Sequence, residues 1–285
     1  MTEKSLHEAI FSPLPPLAVH KDAVYRRVTV NNTTTRVEAF RALKKEDAEI
    51  LMKLGCDLLE DKKEDNKKSK KKKEENKLSG TAIKQLPGTL KSEADAMTAS
   101  ILYFLHHINL VINQKLQNGH IKTSLESSKS AMRTDYIWNF YPKTGNPFPV
   151  AVLEIKAPNL LKGTEFAEAI ADTGDRNKVD RASGDRSSTL LLYNAREFTQ
   201  QLRRYLKKHN VQDRAIIDWN YLAIIDTDGL LEDHQNPVLA RLAWFDRSRE
   251  IQGDKSIHLM MLGFLYRALN RPRTANPELT RPQFS

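Results

Sequence analysis

Asp135, Glu154 and Lys156 are the residues whose types and spacing lend themselves to chemistry in this chain. Val150-Ala-Val-Leu-Glu154-Ile-Lys156 reads as a short apolar strand that ends in a carboxylate and an amine, and side chains two apart on a strand share a face. A buried strand has no structural use for that pair. Asp135, nineteen positions before Glu154 in Met132-Arg-Thr-Asp-Tyr-Ile-Trp, adds a second carboxylate. Magnesium, or manganese in its place, takes oxygen ligands and keeps several waters, so one or two carboxylates and a substrate phosphate make a sufficient site. Asp135 and Glu154 are the expected metal ligands. Lys156 is expected to orient or help deprotonate the attacking water and to stabilise the added negative charge, giving metal-assisted hydrolysis of a phosphodiester. The bland alternative for the three is an ordinary ion pair on an exposed edge strand.

These groups need elements to carry them. Ser92 is a plausible N-cap with Glu93 and Asp95 in the first turn, where the helix dipole favours anions. Apolar residues from Ala96 to Ile112 carry that helix to about Leu116, and Asn118-Gly119 stops it. Three strands are expected next, at Ile121–Leu125, Met132–Tyr141 and Pro149–Lys156, with Thr144-Gly-Asn-Pro turning between the second and third. A helix over Thr189–Lys208 places Gln201 and Tyr205 on one face, four residues apart. A strand at Trp219–Asp226 and a helix at Ser256–Leu269 follow. Upstream, Phe11–Leu17 is too proline-rich for helix, Ala23–Val30 reads as a strand, and Arg36–Leu59 reads as a helix or a broken helix pair.

The order from Ser92, helix then three strands then helix then strand, together with Asp135 and Glu154-Ile-Lys156, resembles the PD-(D/E)XK nuclease superfamily. Thr134 stands where the proline of that name would be. Gln201-Leu-Arg-Arg-Tyr205 resembles the Gln-x-x-x-Tyr motif of RecB-like exonuclease domains within it, and the whole is similar to nuclease-like domains of fungal proteins. The resemblance covers roughly residues 92–226. It implies an α/β fold with a restriction-endonuclease-like αβββαβ core and a mixed central sheet flanked by helices. It also implies that the main-chain carbonyl of Ile155 completes the metal site. Glu93 sits where many members carry an extra acidic residue, against a simple role as a helix-dipole acid. Gln201 is assigned to hold a water or the Lys156 amine, and Tyr205 to brace the phosphate or the helix, against a surface amide and a packed aromatic.

Composition sets the partners. Net charge is +9, and residues 61–77 hold nine lysines against five acids, so less than half of the excess lies in that run. Such an excess suits a polyanion. Arg176, Lys178, Arg181, Arg186, Arg203 and Arg204 are expected to touch a sugar-phosphate backbone, which positions a strand without reading bases. The expected partner is nucleic acid, DNA ahead of RNA, with low sequence specificity; the alternative is an inactive nuclease-fold module that binds nucleic acid or a protein.

Four segments are expected: an N-terminal helical extension packing on the core (1–60), a disordered Lys/Glu-rich linker (61–79), the nuclease-like domain (80–270) and a disordered tail (271–285). Lys67 to Lys73 resembles a nuclear localisation signal, which favours the nucleus over the cytoplasm; the bland reading is a solvated spacer. The single cysteine, Cys56, excludes an intramolecular disulfide and thiolate zinc sites. There is no signal-like N-terminus and no apolar run long enough to span a membrane. Asp172, Asp175, Asp180 and Asp185 lack the glycine and glutamate of a calcium loop, and no phosphate loop, nucleophile elbow or kinase catalytic loop is present.

Overall fold

Apolar strands that are rich in Ile, Val, Leu and aromatic residues gather into a mixed eight-stranded sheet with helices on both faces, and two short strands pair in parallel as a second, separate sheet, Ala18 with Thr89 and Val19 with Leu90. The computed structural model describes residues 6–21, 23–27, 40, 42–60, 89–124, 136–171, 177, 189–227, 239–251, 255–271 and 281–285. Its elements in chain order are α1 (Leu6–Phe11), β1 (Ala18–Val19), β2 (Ala42–Glu46), α2 (Ala48–Leu59), β3 (Thr89–Leu90) and α3 (Glu93–Ser100). A π-helical turn at Ile101–Leu105 leads on into α4 (His106–Lys115), followed by β4 (Gly119–Ser124), β5 (Tyr136–Pro142), β6 (Phe148–Ile155), α5 (Gly163–Ala167) and β7 (Ile170–Ala171). Then come α6 (Tyr193–His209), β8 (Asp213–Ile217), β9 (Tyr221–Asp226), β10 (Leu239–Asp246) and α7 (Ile257–Asn270).

The sheet has eight strands in the order β4-β5-β6-β8-β9-β10-β2-β7. β4, β5 and β6 form an antiparallel meander, and β8 joins β6 in parallel. Beyond it β9 and β10 run antiparallel, and β2 and β7 close the far edge in parallel with β10. Strand alternation splits the apolar side chains between two faces. Trp138, Leu153, Ile155, Ile217 and Ile224 face the layer of α1, α2, α3–α4 and α7, whereas Ile137, Val152, Ile216 and Ile225 face α6 and the α5 region.

The long helix starts where the capping pattern places it. Ser92 accepts from the Asp95 amide, and the Asp95 carboxylate accepts in return from the Ser92 amide, which satisfies two of the orphan donors at the helix start. Strands β4 to β6 and helices α6 and α7 also fall within a few residues of their expected spans; residues 132–135 lie outside the described set.

The N-terminal part departs from expectation. Residues 42–46 are not helical but a strand inside the sheet, and Asp47 caps the helix that follows by accepting from the Glu49 amide. Residues 1–60 are therefore not simply an extension packed on a core. Residues 23–27, read as part of a strand, have none. Strands β8 and β10 were not anticipated, and Trp219-Asn220 is a turn before β9, with Trp219 at φ 75°. At the C-terminus, 281–285 are held against the end of α4: the Gln117 amide donates to Gln283 O at 2.9 Å and the Ser285 amide to Lys115 O at 2.9 Å. That segment is not a free tail. The Lys67 to Lys73 run and the 61–79 linker lie outside the described residues.

A buried ionic network ties β2 into the sheet. Asp213 and Asp226 stand directly opposite each other on β8 and β9, a like-charge pair that would be destabilising alone. Arg267 on α7 and Arg271, which caps the C-terminus of that helix, answer them: Arg271 bonds both aspartates, at 2.7 to 3.1 Å. Arg267 bonds Asp213 at 3.1 Å and Glu46 of β2 at 2.8 Å. Burial works against the Arg267 charge, but the Asp213, Asp226 and Glu46 carboxylates outweigh it and raise its pKa.

On the same face α2 crosses α7 with backbone against backbone. A Cβ added at Gly263 would lie 1.7 Å from Leu51 O, and one at Gly55 would lie 2.3 Å from Leu259 O. Neither atom belongs to a flexible side chain, so the helices would have to part. Gly263→Ala is expected to destabilise the fold by about 3 kcal/mol or more. Urea unfolding checks this, and an unchanged midpoint would refute the close crossing.

Candidate functional site

β6 and α6 make the site between them. Successive side chains on β6 alternate, so Val152 and Glu154 turn toward the α6 face while Leu153 and Ile155 turn away. Lys156, just past the strand, is held in line by its amide, which donates to Ile217 O of β8 at 2.8 Å. Glu154 is 2% exposed and Lys156 7%. A carboxylate taken that far out of water needs donors.

Those donors are present. Gln201 Nε2 donates to Glu154 Oε1 at 2.6 Å and to Tyr205 Oη at 2.6 Å, and Tyr205 Oη donates to Glu154 Oε2 at 2.9 Å. The Lys156 ammonium donates to Glu154 Oε1 and forms an ion pair with it. Lys156 Nζ also lies 5.4 Å from the centroid of the Phe198 ring on α6, within cation–π range. The four-residue spacing of Gln201 and Tyr205 sets both on the strand-facing side of α6, as the helix period requires.

Of the residues singled out from sequence, the structure brings Glu154, Lys156, Gln201 and Tyr205 together. Asp135, Arg176, Lys178, Arg181 and Arg186 lie outside the described residues. Glu93 is exposed in the first turn of α3, which packs on the opposite face of the sheet from α6; among the described residues it is not a partner of Glu154. Ile155 buries its side chain on that opposite face. Its carbonyl points toward the β5 side, because the Lys156 amide next to it points to β8. Arg203 and Arg204 differ from expectation: they are 8% and 7% exposed, inside the protein rather than presented on its surface.

Several residues that shape the site gave little sequence signal. Asp218, fully buried in the β8–β9 turn, accepts from the amides of Leu161 at 2.7 Å, Tyr221 at 3.0 Å and Asn220 at 3.1 Å. It thereby pins the segment that follows Lys156. Burial pushes its pKa up to about 7, although the backbone donors pull the other way. The Asp-x-Asn turn was the available clue. Tyr25 donates to Glu165, whose Oε2 accepts from the Ala195 amide at 3.2 Å in the first turn of α6. Burial, then the Glu165 carboxylate, raises the Tyr25 pKa to about 12. Asn159 and Asn194 hold the carbonyls of Ala23 and Arg26 at 2.8 and 2.9 Å. Contacts this distant in sequence leave no local pattern.

As a cation site, the donor set is hard oxygen, which suits magnesium or manganese. A carboxylate offers about four lone-pair positions, and the described donors on Glu154 are two on Oε1 and one on Oε2. Among the described residues, no three His, Cys, Asp or Glu side chains cluster as a metal site. The chain matches no family model, no curated protein and no solved structure.

Asp218 gives the site end a definite pH dependence. Its folded pKa, about 7, lies above the ordinary 3.8, so the folded state binds the proton more tightly. The stability it contributes is full below about pH 4, falls as pH rises to 7 and is then lost. Asp218→Asn keeps one acceptor and cannot ionise. Its penalty in urea unfolding is expected to be largest near pH 4 to 5 and to shrink by pH 8; a penalty that grows with pH contradicts the assignment.

Proposed function

We propose that the chain is a metal-dependent nuclease with a restriction-endonuclease-like core, hydrolysing DNA phosphodiester bonds with low sequence specificity. The observation that carries this is the convergence of Lys156, Gln201 and Tyr205 on the buried carboxylate of Glu154. Support also comes from element order: α3–α4, the antiparallel β4-β5-β6 meander, α6, then β8 parallel to β6 are compatible with the αβββαβ order the resemblance implies, with α5 and β7 inserted before α6 and β8 in place of the expected strand at Trp219–Asp226. In the chain Asp135 precedes Tyr136, and Tyr136 pairs with Leu153, the residue before Glu154, in the β5–β6 ladder.

Glu154, the Ile155 carbonyl and Asp135 would hold Mg2+ or Mn2+. A bound ion supplies a water of lowered pKa and neutralises charge on the phosphate. Lys156 orients the attacking water and offsets negative charge that grows on the phosphate. Gln201 fixes Glu154 Oε1 and the Tyr205 hydroxyl fixes Oε2, so the carboxylate is aimed before substrate arrives.

A second reading, a nuclease-fold module without catalysis, is favoured by one observation: Glu154 and Lys156 are 2% and 7% exposed, which leaves a nucleic-acid strand little access in this conformation. Calorimetric titration with Mn2+ separates the two, since a module without a metal site takes up none.

Purified protein is expected to degrade linear and single-stranded DNA in Mg2+ or Mn2+ and to stop on chelation. Glu154→Gln and Lys156→Ala should each lower the rate by about a hundredfold or more, and Tyr205→Phe by about tenfold. DNA left intact in both metals would refute the nuclease proposal.

A further inference from the structure

Strands β4 and β5 leave part of the α6 side of the sheet open to solvent. Ile137 pairs with Val152, and both belong to the apolar face under α6, while Tyr136, Trp138 and Phe140 turn to the other face. Alternation then places Asn139 and Tyr141 of β5 on the α6 side, together with their partners across the ladder, Lys122 and His120 of β4. Glu154, two residues past Val152, shares that face. His120 and Lys122 are exposed and Tyr141 is half-buried. The His120 and Tyr141 rings stack, with centroids 5.3 Å apart and planes 13° from parallel, and Lys122 Nζ lies 5.2 Å from the Tyr141 centroid.

Two further observations narrow the occupant. Among the described residues from Ala96 to Leu153 there is no Asp or Glu, whereas Lys115, Lys122 and Lys143 are present, so this end of the sheet is complementary to an anion. The outer edge of β4 is closed at its centre: the Ile121 amide donates to Asn113 Oδ1 at 2.7 Å, and Asn113 Nδ2 donates to Ile121 O at 3.1 Å. A peptide adding as a further strand would have to break both bonds. The face remains, and stacked rings beside a cation are the combination on which the bases of a single strand lie.

We propose that the β4–β5 face is a stacking platform for single-stranded DNA, with a base on the His120–Tyr141 stack and a phosphate on Lys122. This deepens the nuclease reading and rests on it for DNA as the ligand. Tyr136 pairs with Leu153, the residue before Glu154, and the step along β5 from Tyr136 to Tyr141 is roughly 17 Å at the rise of a strand. DNA lying along β5 therefore reaches from the platform to the carboxylate without leaving one face of the sheet. Stacking accepts any base, in keeping with low sequence specificity.

The test uses the full chain without divalent metal, so that binding is read apart from cleavage. Anisotropy of a labelled oligothymidylate is followed for wild type, His120→Ala, His120→Phe and Lys122→Gln, with a DNA duplex of the same length, an oligouridylate and polyglutamate as competitors. His120→Ala is expected to weaken binding by about tenfold, and His120→Phe to hold it near wild type because a ring remains. Lys122→Gln should reduce the salt slope by about 0.7, the share of one phosphate on a single strand. Both positions are exposed, so all three variants should melt with wild type. An edge lysine that only guards the sheet against pairing leaves DNA binding untouched when replaced. No binding by wild type, or unchanged binding in His120→Ala and Lys122→Gln, overturns the proposal, as does His120→Phe binding no better than His120→Ala. Competition by duplex or by polyglutamate as strong as that of unlabelled oligothymidylate overturns the stacking, and stronger competition by oligouridylate overturns the choice of DNA. If wild type cleaves nothing with metal while His120→Ala loses binding, the platform stands and the nuclease reading falls. If wild type cleaves and both exposed-site variants bind and cleave as it does, the platform alone falls.

Discussion

The Glu154 carboxylate must be answered by donors wherever the sheet buries it, and much of the architecture around β6 is set by that requirement. An ionised carboxylate in a nearly water-free interface is tolerated only when it is paired and hydrogen-bonded. Lys156 supplies the charge, and Gln201 and Tyr205 supply the geometry. Fold stability alone gives no reason for the set. Val152, Phe198 and Leu202 belong to the same apolar face, and a leucine at 154 would extend it. Replacing a buried ion pair by well-packed apolar groups is often neutral or stabilising. A cluster that stability does not require, at the end of a central strand, points to use.

The chain connection builds this cluster. β6 and β8 are parallel, and parallel neighbours need a crossover from one end of the sheet back to the other. Here the crossover carries α5, β7 and α6, and α6 returns over the face to which Glu154 points. Gln201 and Tyr205 are therefore delivered above Glu154 by the same topology that allows β8 to pair. The cost falls at the other end of β8, where Asp213 is forced opposite Asp226 and Arg267, Arg271 and, from β10, Arg241 make the arrangement tenable.

What was legible in the sequence follows the range of the interactions. The N-cap at Ser92, the apolar run of β6 and the four-residue spacing on α6 are local, and each stands where it was expected. β2 was hidden because Ala-Leu-Lys-Lys-Glu has Leu43 as its one large apolar side chain, and flanking apolar residues happen to continue a helical spacing. β8 was hidden because it opens on Asp213 and Arg214, residues whose burial depends on partners on α7 and on Leu202 and Thr227. The same blindness affects Arg203 and Arg204. A basic pair on a helix reads as solvent-facing, yet Arg203 lies 5.6 Å from the Phe40 ring and Arg214 lies 5.7 Å from it. Burial even lowers the Arg214 pKa to about 9, with Asp213 and Asp226 opposing the shift.

The two ends of the sheet are held by interactions of different strength, and this ranks how they open. Near Asp213 and Asp226, charge-assisted bonds between α7 and three strands are buried, so separating them strands several charges at once. Near Glu154, residues 23–27 cross the segment after β6 and the start of α6 through Tyr25 on Glu165, Asn159 and the buried Asn194 on backbone carbonyls, the Lys162 ammonium 3.5 Å from the Tyr25 ring centroid, and the Arg27 guanidinium 3.7 Å from that of Tyr193. Neutral bonds and partly solvated cation–π pairs contribute about 1 kcal/mol each or less, and the Tyr25–Glu165 bond is the charge-assisted one of this set. Local opening draws on the least stable contacts first. The end of the sheet that buries Glu154 and Lys156 is accordingly the end that yields at lower free energy, while the Asp213–Asp226 end holds the strands in register.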